Sequence, residues 1–220
     1  MTNLAGAAAA GFGFLLAVAS GAPVAAEPAT AVGLSAEDQE AVRRIEAYVN
    51  SIDTLQARFI QLNPNGRFVE GSLYMWRPGR VRFEYDPPIP YRLIADGNRL
   101  IFYDAELETP TYLSVDDTPL EVLLADTVRM TNDVEVTKVE RAPGSLRVTA
   151  VWVPMRDRGR VQITFSERPF ELKKWSIIDS QGVAVHIALL DTRYGIELDP
   201  KLFEFKNPRI FREFDEYDDH

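Results

Sequence analysis

Over long stretches of the chain, apolar and polar residues alternate one by one. Val81, Phe83 and Tyr85 stand against Arg82 and Glu84, the period of a strand with one buried face. The same phase runs back through Arg77, Met75 and Leu73 if no bulge intervenes at Pro78-Gly79. Leu55, Ala57, Phe59 and Gln61 share a face in the same way. The pattern predicts strands near 67–76, 80–86, 91–95 and 99–103, and a shorter one near 110–115. Turn chemistry separates them at Asn63-Pro-Asn-Gly66, Pro78-Gly79, Asp86-Pro-Pro88 and Asp96-Gly97-Asn98. Five more strands follow, near 134–140, 145–153, 160–166, 171–178 and 183–191. Turns at this regular spacing predict a mainly β protein built as one curved antiparallel sheet. The concave face of such a sheet must be covered by helices.

Two segments depart from the period of two. Val42, Ile45, Val49 and Ile52 recur at helical spacing, with Glu40, Arg43, Arg44 and Glu46 on the wet side. Ser35 and Asp38 have the spacing of a capping box at its start. The second segment opens at Thr118-Pro119-Leu120-Glu121, with Thr118 as N-cap and Pro119 at the first helical position, and ends near Asp126. Leu120, Leu123 and Leu124 form its apolar stripe. So short a helix is unstable alone and must lie on something apolar.

Length and charge narrow the picture. With 220 residues, one domain and a sizeable core are expected. A net charge of −9 argues against nucleic acid and against anionic headgroups as partners. Leu4 to Ser20 is apolar and small, and Val24-Ala25-Ala26 places small residues where a signal peptidase cuts. Residues 1–26 are therefore expected to be a cleaved signal peptide, against the alternative of a membrane-spanning anchor; 27–34 reads as a linker. The folded domain is expected over 35–212, with an acidic tail at 213–220. There is no cysteine, so no disulfide forms and no acylated cysteine can anchor the processed chain.

Catalytic chemistry is sparse. The histidines are His186, in a predicted strand, and His220 at the terminus. Metal-ligand spacing, a nucleophile elbow, a phosphate loop and a dinucleotide fingerprint are all missing, so no catalytic residue, metal or cofactor is expected. Asp179-Ser180 reads as a turn, and Asp116-Asp117 as charge at a helix N-terminus.

Arg77 is the exception, because its in-phase neighbours are Leu73, Met75, Val81, Phe83 and Tyr85. Either the strand kinks at Pro78 and Arg77 reaches water at a rim, or a guanidinium points into an apolar concavity. In the second case something must accept its donors, since a buried unpaired charge costs several kcal/mol. Backbone carbonyls at a helix end are natural acceptors for its five N–H groups.

The order of several segments resembles the LolA family of periplasmic carriers of outer-membrane lipoproteins. These are Leu55-Gln-Ala-Arg-Phe-Ile-Gln61, Gly71-Ser-Leu-Tyr-Met-Trp-Arg-Pro78, Arg82-Phe-Glu-Tyr85-Asp-Pro87 and Asp96-Gly97 with Leu100-Ile-Phe-Tyr-Asp104. Later come Thr118-Pro119 before the leucines, Asp179-Ser-Gln-Gly182, Phe203-Glu-Phe205 and Asn207-Pro208; the acidic tail departs from the usual ending. The resemblance implies an incomplete, unclosed β-barrel of some eleven strands with a helical lid. Arg77 would bond to lid carbonyls in the closed state, and Leu120, Leu123 and Leu124 would line the lid. Leu73, Met75, Val81, Phe83, Tyr85, Leu100 and Phe102 would line an acyl-chain cavity. The implied cargo is an acylated lipoprotein, received from an inner-membrane ABC lipoprotein-release complex. It would pass to an outer-membrane lipoprotein acceptor where one exists, with the carrier a monomer in the periplasm.

The physics of such a carrier is consistent with these residues. Acyl chains cost about 0.8 kcal/mol per methylene in water, so three chains represent tens of kcal/mol. A lid that fills the empty pocket competes with cargo and tempers that affinity. Two other binding functions share the pattern: a carrier of another lipid or hydrophobic ligand, and an envelope-stress lipoprotein sensor, which would need a second domain. An enzyme would need a converging polar cluster.

Overall fold

The computed structural model describes residues 33–115, 118, 120–130 and 134–208, and of Val122 and Met155 the backbone alone. The expected signal peptide, most of the linker, Asp116, Asp117, Pro119 and the acidic tail lie outside the described residues. Helix α1 spans Ala36–Asn50. Ser35 caps it: the Asp38 N–H donates to Ser35 Oγ at 3.1 Å, and that hydroxyl donates to the Asp38 carboxylate at 2.8 Å.

Six strands follow: β1 (Thr54–Leu62), β2 (Phe68–Trp76), β3 (Arg80–Tyr85), β4 (Tyr91–Asp96), β5 (Arg99–Asp104) and β6 (Thr109–Ser114). Helix α2 is Leu120–Leu124, shorter than the expected run to Asp126. Then come β7 (Val134–Ala142), β8 (Ser145–Trp152), β9 (Gly159–Glu167), β10 (Phe170–Asp179) and β11 (Ala184–Tyr194). The eleven strands make one antiparallel sheet in the order β6-β5-β4-β3-β2-β1-β11-β10-β9-β8-β7. It is unclosed, since the end strands β6 and β7 do not pair. Two compact units divide the described residues: 33–46, 62–67 and 130–187 in the first, and 47–61, 68–129 and 188–208 in the second.

In the second unit, cross-strand partners set the faces. Leu73 lies opposite Phe83, Phe83 opposite Leu93, and Leu93 opposite Phe102. Met75, Val81, Ala95 and Leu100 form the neighbouring row. The Phe59 ring meets Phe83 and Tyr85 edge-on, at 5.5 and 5.1 Å between centroids. Gly71 makes this possible, because a Cβ there would fall 2.6 Å from the Phe59 ring and 2.3 Å from the Glu84 carbonyl. The opposite, outer face is also partly apolar, with Ile94, Ile101 and Tyr103 buried. Its cover is the segment after β11. A short 3-10 turn, Pro200–Phe203, sets Phe203 against Trp76 and Phe205 against Tyr103, at 6.2 and 5.1 Å.

In the first unit, α1 lies on the face that carries Phe165. Arg44 sits 3.9 Å above the Phe170 ring, which stacks on Phe165 at 5.0 Å. Arg141 reaches back to Asp38 at 2.7 Å and Glu37 at 3.0 Å. Bulges between Val136 and Lys138 and between Leu172 and Lys174 shift the alternation by one residue. They keep Val139 and Trp175 on the α1 face, with Val148 and Ile163 as their partners.

Candidate functional site around Arg77

The alternation through β2 and β3 continues past Trp76, so Arg77 points to the same side as Met75 and Val81. It is buried, with 8% of its surface exposed. That decides between the two sequence readings: the guanidinium does not turn out to water at a rim. Its donors meet two backbone ends. Nη1 donates to the carbonyls of Val49 (2.5 Å) and Ile52 (3.5 Å), where α1 finishes. Nε and Nη2 donate to Ala125 O at 3.1 and 2.6 Å, and Nη2 also to Asp126 O at 3.2 Å, just past α2. Carbonyls at the C-terminal ends of helices carry negative partial charge and the guanidinium is cationic, so each contact is charge-assisted. Burial pushes the guanidinium below its ordinary pKa, and Asp126 and Asp53 oppose that shift.

Flanking bonds tie the same two segments together. The Gly79 N–H donates to Leu124 O at 2.9 Å, and Asn50 both donates to Val128 O at 3.0 Å and accepts from Val128 N–H at 2.8 Å. Thr118 is buried, and its hydroxyl donates back to Val115 O at 2.8 Å while its carbonyl accepts from the Glu121 N–H. The fork of Arg77 thus joins the end of α1 to the end of α2. A lysine has no second arm with which to do that.

The other sequence-predicted site residues fall into two groups. Leu73, Met75, Val81, Phe83, Tyr85 and Leu100 are buried on one face, and Phe102 is half-buried beside them. The Tyr85 hydroxyl donates to Gln61 Oε1 at 2.7 Å; burial pushes the phenol far above its ordinary pKa, with the Gln61 bond pulling the other way. Of the predicted α2 stripe, Leu124 is buried, whereas Leu120 and Leu123 are only half-buried. Arg82 and Glu84 face the outer side, where Glu84 pairs with both Arg82 and Arg92. A cleft of about 300 Å³ lies there, lined by Arg82, Arg92, Tyr103, Lys201, Glu204 and Phe205 among others.

Sequence reasoning missed a second apolar strip, in the first unit. Val161, Ile163, Trp175 and Ile177 are paired across β9 and β10 and are all half-buried. The signal was present in Leu172-Lys-Lys-Trp175, where two lysines interrupt an apolar alternation and mark the bulge. Among the described residues, no group of three metal-ligating side chains converges, and no helix is long and apolar enough to cross a membrane.

Residues 50–206 match the family described as outer membrane lipoprotein carrier protein LolA. An outer-membrane lipoprotein carrier protein of Pseudomonas aeruginosa (strain UCBPP-PA14) is 31% identical over 205 residues, covering 89% of this chain and 93% of that protein. One from Methylococcus capsulatus is 29% identical over 175 residues, covering 75% and 83%. Among solved structures, an uncharacterized conserved protein from Thermus thermophilus aligns with a TM-score of 0.50 at 11% identity, over 78% of this chain and 96% of that one.

Proposed function

Since the chain belongs to the LolA family of outer membrane lipoprotein carrier proteins, we propose that it carries acylated lipoproteins across the periplasm, holding their acyl chains beneath a lid formed by α2. The family's proteins are transport proteins without enzymatic chemistry. On this reading, residues 1–26 are a cleaved signal peptide and 35–212 the carrier domain. Cargo arrives from an inner-membrane ABC release complex and leaves to an outer-membrane lipoprotein acceptor, and the carrier works as a monomer.

The observation that carries the reading is the double attachment of Arg77. Its bonds to Val49 and Ile52 are buried, whereas those to Ala125 and Asp126 are only part-buried. Water can replace the second set far more readily than the first. Arg77 therefore stays seated on α1 while the end of α2 lets go. Opening would uncover Met75, Phe83 and their neighbours, a mostly apolar face on which the buried polar side chains Tyr85 and Gln61 are bonded to each other. Closing restores three charge-assisted bonds, a free-energy difference that favours release.

Transfer of loaded carrier to acceptor membranes tests this. Arg77→Leu should load cargo yet transfer it poorly, because the empty, closed state has lost its latch. Transfer by the variant at the wild-type rate would sink the latch reading. Photo-crosslinkers at Met75, Phe83 and Phe102 should capture lipoprotein, and ones at Arg82 or Glu84 on the outer face should not. Capture of a different lipid from the periplasm at the inner positions would instead assign the pocket to that lipid.

A further inference from the structure

Trp152 ends β8 on the face that carries α1, opposite Val134. Its side chain is over nine-tenths buried, with 9% exposure. Among the described residues, its indole nitrogen is the buried side-chain polar atom left with no hydrogen-bond partner. Buried indole N–H groups normally find an acceptor, because leaving the donor unpaired forfeits its hydration with nothing in return. A native protein that keeps such a donor needs an explanation.

The neighbourhood supplies one. Next to Trp152 along the same face comes Ala150, paired with Val136 and Val161. Val161, Ile163, Trp175 and Ile177 continue the strip, apolar and half-buried. The first unit therefore offers a half-buried apolar strip whose end residue, Trp152, holds a buried and unspent donor. A hydrocarbon chain would satisfy the strip alone. It would do nothing for the N–H. An acyl chain satisfies both, because by definition it terminates in a carbonyl, as an ester or an amide, whose oxygen accepts one or two hydrogen bonds.

We propose that Trp152 is a cargo-binding residue whose indole Nε1–H donates to the ester or amide carbonyl of a bound acyl chain, with the chain lying along Val161, Ile163, Trp175 and Ile177. This rests on the carrier reading and adds to it a register: a greasy strip lets a chain slide, whereas a single donor at one end fixes where the chain stops. The unpaired N–H also makes the empty state less comfortable than the loaded one at this position. Trp152 thereby favours loading, the opposite bias to that of Arg77.

The test uses two ligands of equal chain length, a 1-monoacylglycerol with its ester carbonyl and the 1-O-alkylglycerol ether that lacks it. Their binding to the purified mature protein is measured by displacement of a fluorescent apolar dye. Wild type should prefer the ester by roughly tenfold, and Trp152→Phe should bind both at the ether's affinity. Equal binding of ester and ether by wild type overturns the inference, as does an ester preference that survives in Trp152→Phe. Binding of neither ligand overturns the carrier reading itself. Should Trp152→Phe not fold, the indole ¹H–¹⁵N resonance of Trp152 in wild type serves instead. It should move downfield with the ester and not with the ether, and the same response to both ligands refutes the proposal.

Discussion

Replacing Arg77 by leucine should loosen the end of α2, and the size of the effect can be worked from its bonds. Three of the contacts run to the α2 side: Nε and Nη2 to Ala125 O and Nη2 to Asp126 O. A hydrogen bond to a charged group is worth about 1.5–3 kcal/mol. These three share one guanidinium and lie where water can compete, so the set is taken as about 2 kcal/mol in total. That corresponds to a roughly 30-fold rise in the population of the opened segment. The Gly79 amide is the reporter, since its acceptor is Leu124 O. Its hydrogen exchange, followed by NMR, should quicken by that factor. The Val128 amide, held by Asn50, should follow it. Amides of the β8–β9 ladder should hold their rates. Arg77→Lys keeps the charge without the fork and should fall between wild type and leucine. A Gly79 rate within about threefold of wild type in the leucine variant would refute the claim that Arg77 holds α2.

Three further outcomes follow from packing and charge. Gly71→Ala should cost about 2–3 kcal/mol in urea denaturation, because the Glu84 carbonyl cannot retreat from a new Cβ; Phe59→Leu in the same chain should restore only the part due to the ring. Phe203→Ala should cost about 3 kcal/mol or more, since Phe203 is 3% exposed and its loss leaves a hole beside Trp76. In acid, the Arg141 hydrogen bond, helped by Ser35, holds the Asp38 carboxyl below its usual range. A depressed folded pKa gives stability that is present above the unfolded value near 4 and is lost as pH falls through the folded value. Arg141→Gln should therefore flatten that acid limb while barely changing the slope near pH 7, as read by thermal melts across the pH series.

Alternation carries most of the second unit. β2 and β3 pair without a slip from Gly71 opposite Tyr85 to Trp76 opposite Arg80, and Arg77, in the turn that joins them, is buried as Met75 and Val81 are, so Arg77 and its apolar neighbours are legible together. Half of its partners are not. The α2 carbonyls follow from the need to pair a buried cation near a covering helix, but Val49 and Ile52 accept only because α1 happens to end there. No local pattern encodes that meeting. In the first unit the two bulges break the period on which face assignments depend, and Trp175 changes sides as a result. Trp152 reads like any strand-end aromatic, because an unmet hydrogen bond is a property of surroundings and not of sequence. The outer face is illegible for a further reason: Ile94 and Ile101 read as excess apolar residues until Phe203 and Phe205 are set against Trp76 and Tyr103 on the same face.

That cover has a temporal consequence. Arg82 donates to the carbonyl of Leu202 at 3.1 Å, across 120 residues of sequence. Strands β2 to β5 can pair as soon as they are made, since each neighbours the next in the chain, whereas their outer face stays greasy until Phe203 and Phe205 are made. Contacts between such distant residues are slow to form. A chain emerging N-terminus first is therefore adhesive on that side until this segment has emerged. A truncation before Asp199 would make that condition permanent, leaving a paired sheet that aggregates through Ile94, Ile101 and Tyr103.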